Sequence, residues 1–271
     1  KSLGVRGVNA FTANERTVYV CDLPKNRLRA WARLEADRFA QPVFRLFQNE
    51  IETVYEEKNR SMDHPERILS EALDAALFPG HPYGRAILGT VEHLKNPSLA
   101  KMYAFYAKHY RPQNMAIVLS GDFDRREALK VLEEEFSAWK GEVFAPQAWL
   151  APAKPAKDQR VEVRYESEEK VVVAFATVKE DHEDADALVV LDMLTDNSQA
   201  GLINLRLNQA QKVKQAGSYP SFLNEGGSWQ LWAVPKEGQT LEQAEALLLE
   251  IVAAVKAGEF DAADLAAVIR D

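Results

Sequence analysis

Residues 49–65 read NEIETVYEEKNRSMDHP, four glutamates in a run whose apolar residues keep helical spacing. At about 100° per residue, Phe44, Phe47, Ile51 and Val54 recur at intervals of three and four and line one side of a helix. Glu52 and Glu56 fall on the opposite side. Glu50 and Glu57 are seven residues, or about two turns, apart, so they return to nearly one azimuth and border the apolar stripe. Carboxylates beside a core are costly unless a cation or hydrogen-bond donors meet them, so the pair is expected to have a partner: a metal, or an arginine or lysine. Residue types alone leave both readings open, a structural salt bridge and a metal or catalytic role.

The rest of the chain sets the frame around this helix. Its 271 residues suit two ordinary domains or one large one, and 46% hydrophobic content is enough to build cores. A formal net charge of -8, with lysines and arginines scattered among acids, argues against a nucleic-acid partner. The single cysteine, Cys21, excludes an internal disulfide framework and reads as a small buried strand residue. No apolar run reaches membrane-spanning length. The chain opens on Lys1, without an initiator Met or a signal peptide, in a Gly-rich stretch; the expectation is a piece of a longer precursor with its targeting information upstream.

Residues 8–23, VNAFTANERTVYVCDL, alternate around a polar turn and predict a hairpin. Helices are expected over about 26–40, from Pro65 onward, over about 98–109, and from GDFD to near Trp139. FPGHPYGRAILG (78–89) reads as a loop, and MAIVLS (115–120) as a strand. The Pro- and Ala-rich stretch 144–158 is the expected linker, between an N-terminal domain at 1–143 and a second α+β domain at 159–271. In that second domain VEVRY (161–165) and KVVVAFATV (170–178) predict strands, the second of them central. Helices follow at about 184–195 and 200–215, then the strand SWQLWAVP and a long helix from Leu241. Strand, polar turn and amphipathic helix recur at 115–141 and 229–258, a weak sign of a repeated unit.

GVNAFTANERTVYV, NEIETVYEEKNRSMDHP, HPYGRAILGT and YRPQNMAIVLSGDFD, in this order, resemble the insulinase (pitrilysin) family of zinc peptidases, including its members similar to the mitochondrial processing peptidase. The resemblance covers nearly all of the first domain and, more loosely, the second. It implies an α+β fold of two α/β sandwich domains, each an antiparallel or mixed sheet covered by helices. It also implies that Glu57 is a zinc (Zn2+) ligand and Glu50 the acid that supports it, which matches their shared azimuth. The family's inverted motif H-x-x-E-H supplies two zinc-binding histidines and the glutamate that activates water. His64, His81, His93, His109 and His182 belong to no such motif, so surface or hydrogen-bonded roles are expected for all five. The catalytic residues are therefore expected upstream of Lys1, and the present chain is expected to bind zinc weakly and to hydrolyse nothing.

Further implications follow. Asn9, Ala10 and Phe11 resemble the edge strand that pairs with a bound peptide, although a plain sheet strand explains them equally. The family's Arg-x6-Tyr pair has Lys212 in the Arg position before Tyr219, with Arg206 out of place, so the second domain is not expected to complete the active site. The implied activity of the intact protein is zinc-dependent endoproteolysis of peptides or unfolded polypeptides, with further domains of the chain or a homologous partner subunit closing the site. Loss of the upstream motif would instead make it a non-catalytic scaffold or peptide-binding partner, and an unrelated α+β binding domain is the third reading. Similar proteins suggest the bacterial periplasm or cell envelope.

Overall fold

A computed structural model describes residues 3–141, 151–153, 155, 157–197 and 199–270. Two compact units result: Lys1–Ser61 with Ile87–Ala148, and Met62–Ala86 with Trp149–Asp271. Residues 144–150, 154 and 156 of the expected linker lie outside the described residues. The expected break after residue 143 and this division differ at 62–86, which pack with the second unit. In both units small antiparallel sheets are covered by helices, the α+β class anticipated above.

In the first unit β1 (Arg6–Thr12) and β2 (Thr17–Asp22) pair antiparallel, Ala10 opposite Tyr19 and Phe11 opposite Val18. The register slips between Arg6 and Asn9, where Gly7 takes a positive φ of 55°, a conformation that suits glycine at a bulge. Helix α1 (Leu28–Ala40) buries Ala32, Ala36 and Phe39. The Phe39 ring stacks on Tyr110 and Trp139 and meets Tyr19 edge-on. Helix α2 (Phe47–Ser61) carries the glutamates; α3 (Pro65–Leu77) follows and belongs to the second unit. Helices α4 (Val91–Lys95), α5 (Leu99–His109) and α6 (Arg125–Phe136) complete the first unit, with Thr90, Ser98 and Asp124 side chains capping their N-termini.

The second unit is built on a three-stranded sheet in the order β3 (Val171–Thr177), β5 (Gly227–Val234), β4 (Gln215–Phe222). Val171, Val173 and Phe175 of β3 lie opposite Ala233, Leu231 and Trp229 of β5. That face meets Leu248, Ile251 and Val252 of α8 (Leu241–Lys256), with Leu188 and Leu191 of α7 (Ala185–Thr195) at its border. On the other face Ala174 and Ala176 pack against Leu77, Phe78 and Tyr83. Helix α9 (Ala262–Val268) packs with α7.

Four expectations need correction. Met115–Ser120 forms no strand, and Val118 is 88% exposed; an apolar run reports propensity, whereas a strand also needs a ladder partner. Val161–Tyr165 likewise joins no sheet. β3 is an edge strand and β5 is central. The apolar run of β3 reflects cover on both faces by α8 and the Leu77–Tyr83 segment, not pairing on both edges. The helix expected at 200–215 is a short π-helical stretch, Asn204–Asn208, followed by β4, whose Pro220 suits an edge strand.

Candidate functional site

Helix α2 forms where the periodicity places it. Glu50 in its first turn and Lys58 and Arg60 in its last complement the helix dipole. Phe47, Ile51 and Val54 are half-buried, and Phe44 lies against the rings of Tyr103 and Tyr106, with centroids at 4.6 and 5.7 Å. The stripe is therefore the inward side, yet Lys58 is the one fully buried residue of the helix.

Glu50 and Glu57 share a side of α2, as their spacing requires, and both are exposed. Among the described residues neither has an ion-pair partner, so the structural salt bridge open to them from sequence is not what holds them. A cleft of about 420 Å³ along α2 lies beside the other pair, lined by Gln48, Ile51, Glu52, Tyr55, Glu56, Leu94 and Lys95.

The histidines play local roles. His81 Nδ1 accepts from the Tyr83 N–H at 3.2 Å, and His182 Nδ1 from the Asp184 N–H at 3.1 Å. His109 lies against Phe105, and burial pushes its imidazole below the usual value. His64 sits at the N-terminus of α3 without capping it, and His93 is in the last turn of α4.

Asn9, Ala10 and Phe11 lie on β1, all exposed, and among the described residues β1 pairs on one edge, with β2. The Asn9 side chain accepts from the Ala10 N–H at 2.9 Å, covering one strand donor. Tyr219 donates to Gln230 Oε1 at 2.6 Å. Arg206 donates to the Glu259 carbonyl at 2.6 Å. Arg206 and Lys212 border a cleft of about 270 Å³ that Tyr219 does not line.

The polar network that sequence reasoning missed is in the second unit. Asp192 Oδ1 accepts from Ser218 Oγ at 2.7 Å and from Trp229 Nε1 at 2.8 Å, and Thr195, fully buried, meets Ser218 Oγ at 3.0 Å. Burial pushes the Asp192 carboxyl above the usual carboxylate range, against the opposing pull of these two donors. Its signal in the sequence is an acid beyond the first turn of the apolar helix ADALVVLDMLT, where Asp186 takes the usual first-turn place and Asp192 stands among apolar residues.

The profile described as "Insulinase (Peptidase family M16)" matches residues 1–91, and that described as "Peptidase M16 inactive domain" matches residues 97–271. The chain belongs to the insulinase family, M16. Among its relatives, an uncharacterized zinc protease of Mycobacterium leprae is 31% identical over 133 residues, covering 48% of this chain and 30% of that protein. This chain thus spans less than a third of that relative's length. The M16 fold recurs in a peptidase M16 inactive domain from Pseudomonas fluorescens, with a TM-score of 0.83 at 19% identity over 99% of this chain and 66% of that one. A protease from Helicobacter pylori superimposes with a TM-score of 0.81 at 22% identity, covering 98% of this chain and 66% of the other.

Zinc peptidase chemistry needs three protein ligands around the metal and a fourth position for water. Glu57 suits one of these: a hard carboxylate oxygen, exposed, with no ion-pair partner among the described residues. The described residues bring together no group of three His, Cys, Asp or Glu side chains, so they do not complete a zinc site by themselves.

Proposed function

We propose that the full-length protein is a zinc-dependent metalloendopeptidase that hydrolyses peptides or unfolded polypeptides, with Glu57 as one zinc ligand and Glu50 as its supporting acid. The observation that carries this reading is the pair itself. Two accessible carboxylates stand two turns apart on one side of α2, unmatched by any described cation, in a chain of the insulinase family. Zinc, when bound, supplies a Lewis acid and a water of lowered pKa. The residues of this chain have two tasks: Glu57 presents a carboxylate, and Glu50, two turns earlier on the same side of α2, supports the site with a second negative charge. Asn9, Ala10 and Phe11 would lay an extended peptide along the edge of β1, where backbone groups bind without reading much sequence. Further domains of the same chain or a homologous subunit would close the site, and the bacterial envelope is the proposed compartment.

The test is to express the full-length protein, measure bound zinc, and follow cleavage of an unstructured peptide with and without Glu57→Gln. Equal metal content and equal activity in both would remove Glu57 from the site. A second reading, a non-catalytic scaffold or peptide-binding partner of the same fold, is favoured by the match of residues 97–271 to an inactive domain. An intact H-x-x-E-H motif in the full-length sequence separates the two readings in favour of the enzyme.

A further inference from the structure

A cleft of about 270 Å³ opens in the second unit, between α8 and the π-helical stretch Asn204–Asn208 with the turn that follows it. Its floor is apolar: Leu207 and Ile251 are both buried, and Ala210 adds a third apolar surface. Its rim carries charges of both signs, Arg206 and Lys212 from the π-helical side and Glu250 from α8. Among the described residues neither Lys212 Nζ nor the Glu250 carboxylate has a hydrogen-bond or ion-pair partner. Arg206 uses part of its guanidinium on Glu259, with Nη2 donating to the carbonyl at 2.6 Å and Nη1 3.8 Å from the carboxylate. That contact holds the group at the cleft and leaves some of its five donors over.

The backbone brings the two cations together. On an α-helix, residues six apart point about 120° away from each other, so Arg206 and Lys212 would not share a cleft. Here the Gln209 N–H donates to the Asn204 carbonyl and the Lys212 N–H to the Leu207 carbonyl, both at 2.8 Å, and these wider i→i+5 turns bring both side chains to one side. Gln211, between them, has a φ of 51°, in the left-handed region that a residue with a Cβ takes up only where its surroundings hold it. Lys212 is fixed from its other side as well. Its carbonyl accepts from Gln239 Nε2 at 3.1 Å, and the Lys214 N–H donates to the Val234 carbonyl at 3.0 Å. π turns and residues in sparsely populated backbone conformations gather at binding sites, and this segment has both.

The lining selects a ligand by its charges. A simple anion would meet Glu250 and a simple cation would meet Arg206 and Lys212, whereas a molecule with both a carboxylate and an ammonium answers the whole rim. The volume falls just below the range of about 300–1,000 Å³ typical of pockets for drug-sized ligands, so the ligand is small. We propose that this cleft binds a free aliphatic α-amino acid, with its carboxylate on Lys212 and Arg206, its ammonium on Glu250 and its side chain over Leu207 and Ile251. The site stands on the second unit alone and does not depend on the role proposed for Glu57.

The experiment titrates the full-length protein with L-leucine in a calorimeter, beside glycine, N-acetyl-L-leucine, L-leucinamide and inorganic phosphate. Saturable binding of L-leucine with a Kd below about 10 mM is expected. Glycine has no side chain for the floor, N-acetyl-L-leucine lacks the ammonium and L-leucinamide lacks the carboxylate, so each is expected to bind about tenfold more weakly or worse. Lys212→Gln and Glu250→Gln alter exposed side chains that hold no other part of the fold, and each is expected to weaken L-leucine about tenfold or more. Lys214→Gln is the control: that lysine pairs with Glu168 and does not line the cleft, so L-leucine binding should stay as it was. Absence of saturable L-leucine binding overturns the proposal, as does phosphate, glycine or either singly charged analogue binding as tightly as L-leucine. Unchanged binding in Lys212→Gln or Glu250→Gln, or an equal loss in Lys214→Gln, overturns it too.

Discussion

Replacing Asp192 with Ala removes the acceptor on which two donors of the second unit's interior converge. Trp229 is 5% exposed, so its Nε1–H, which donates to Asp192 Oδ1 at 2.8 Å, has no route to bulk water. An orphaned buried donor of this kind costs about 1–3 kcal/mol. Ser218 fares better, because its hydroxyl keeps Thr195 Oγ1 at 3.0 Å, and the loss there is closer to one net hydrogen bond, about 1 kcal/mol. Asp192→Ala is therefore predicted to destabilise the second unit by about 2–4 kcal/mol, and Asp192→Asn, which keeps an acceptor of the same shape, by about 1 kcal/mol. The two variants also differ in their response to pH. Burial raises the folded-state pKa of Asp192, so the folded chain holds that proton more tightly than the unfolded chain does. Its contribution is fully present below the unfolded carboxylate value and is lost as pH rises through the folded value. Relative to Asp192→Asn, the parent protein is thus predicted to lose stability on going from acid to neutral pH. Urea denaturation at several pH values, with amide exchange of 215–234 assigning the loss to this unit, measures both effects. A change below about 0.5 kcal/mol for Asp192→Ala, the level of an ordinary surface substitution, or a pH trend of opposite sign, refutes the reasoning.

Leu248, fully buried in α8 against the sheet, should cost about 2–5 kcal/mol on truncation to Ala, measurable in the same denaturation experiment. Thr240 and Gln243 form a reciprocal capping box at the start of that helix, so Thr240→Ala should cost about 1 kcal/mol, while Thr240→Ser should restore most of it. Tyr19→Phe deletes the hydroxyl contact to Tyr110 at 3.0 Å in the first unit; with Tyr19 partly exposed, a loss of about 0.5 kcal/mol is expected, and exchange in 171–234 should not change.

What could be read from the sequence follows the range of the interaction that decides it. Helices with local signals lie within a few residues of their expected places: α3 begins at Pro65, α5 follows the capping Ser98, and α8 follows the capping Thr240. Caps and periodicity act within one or two turns and are fully present in the string of residues. Strand pairing is not local. Met115–Ser120 and β3 are similar apolar runs, yet one makes no ladder and the other becomes an edge, because partners come from distant segments. β4 went unanticipated for the same reason: Gly217 and Pro220 make it a poor strand by propensity, and its ladder to β5 overrides that.

The glutamate pair divides along the same line. Azimuth is a property of the helix alone, and Glu50 and Glu57 do share a side of α2. Depth is a property of what lies over that side, and no periodicity contains it. Depth matters because a carboxylate held open to water can move to meet an ion, whereas a buried one must already have its partner. Glu57 is of the first kind and Asp192 of the second. The acid that the sequence singled out is free to bind something, and the acid that it passed over is committed to Ser218 and Trp229. A ligand function therefore belongs with the exposed carboxylate of α2.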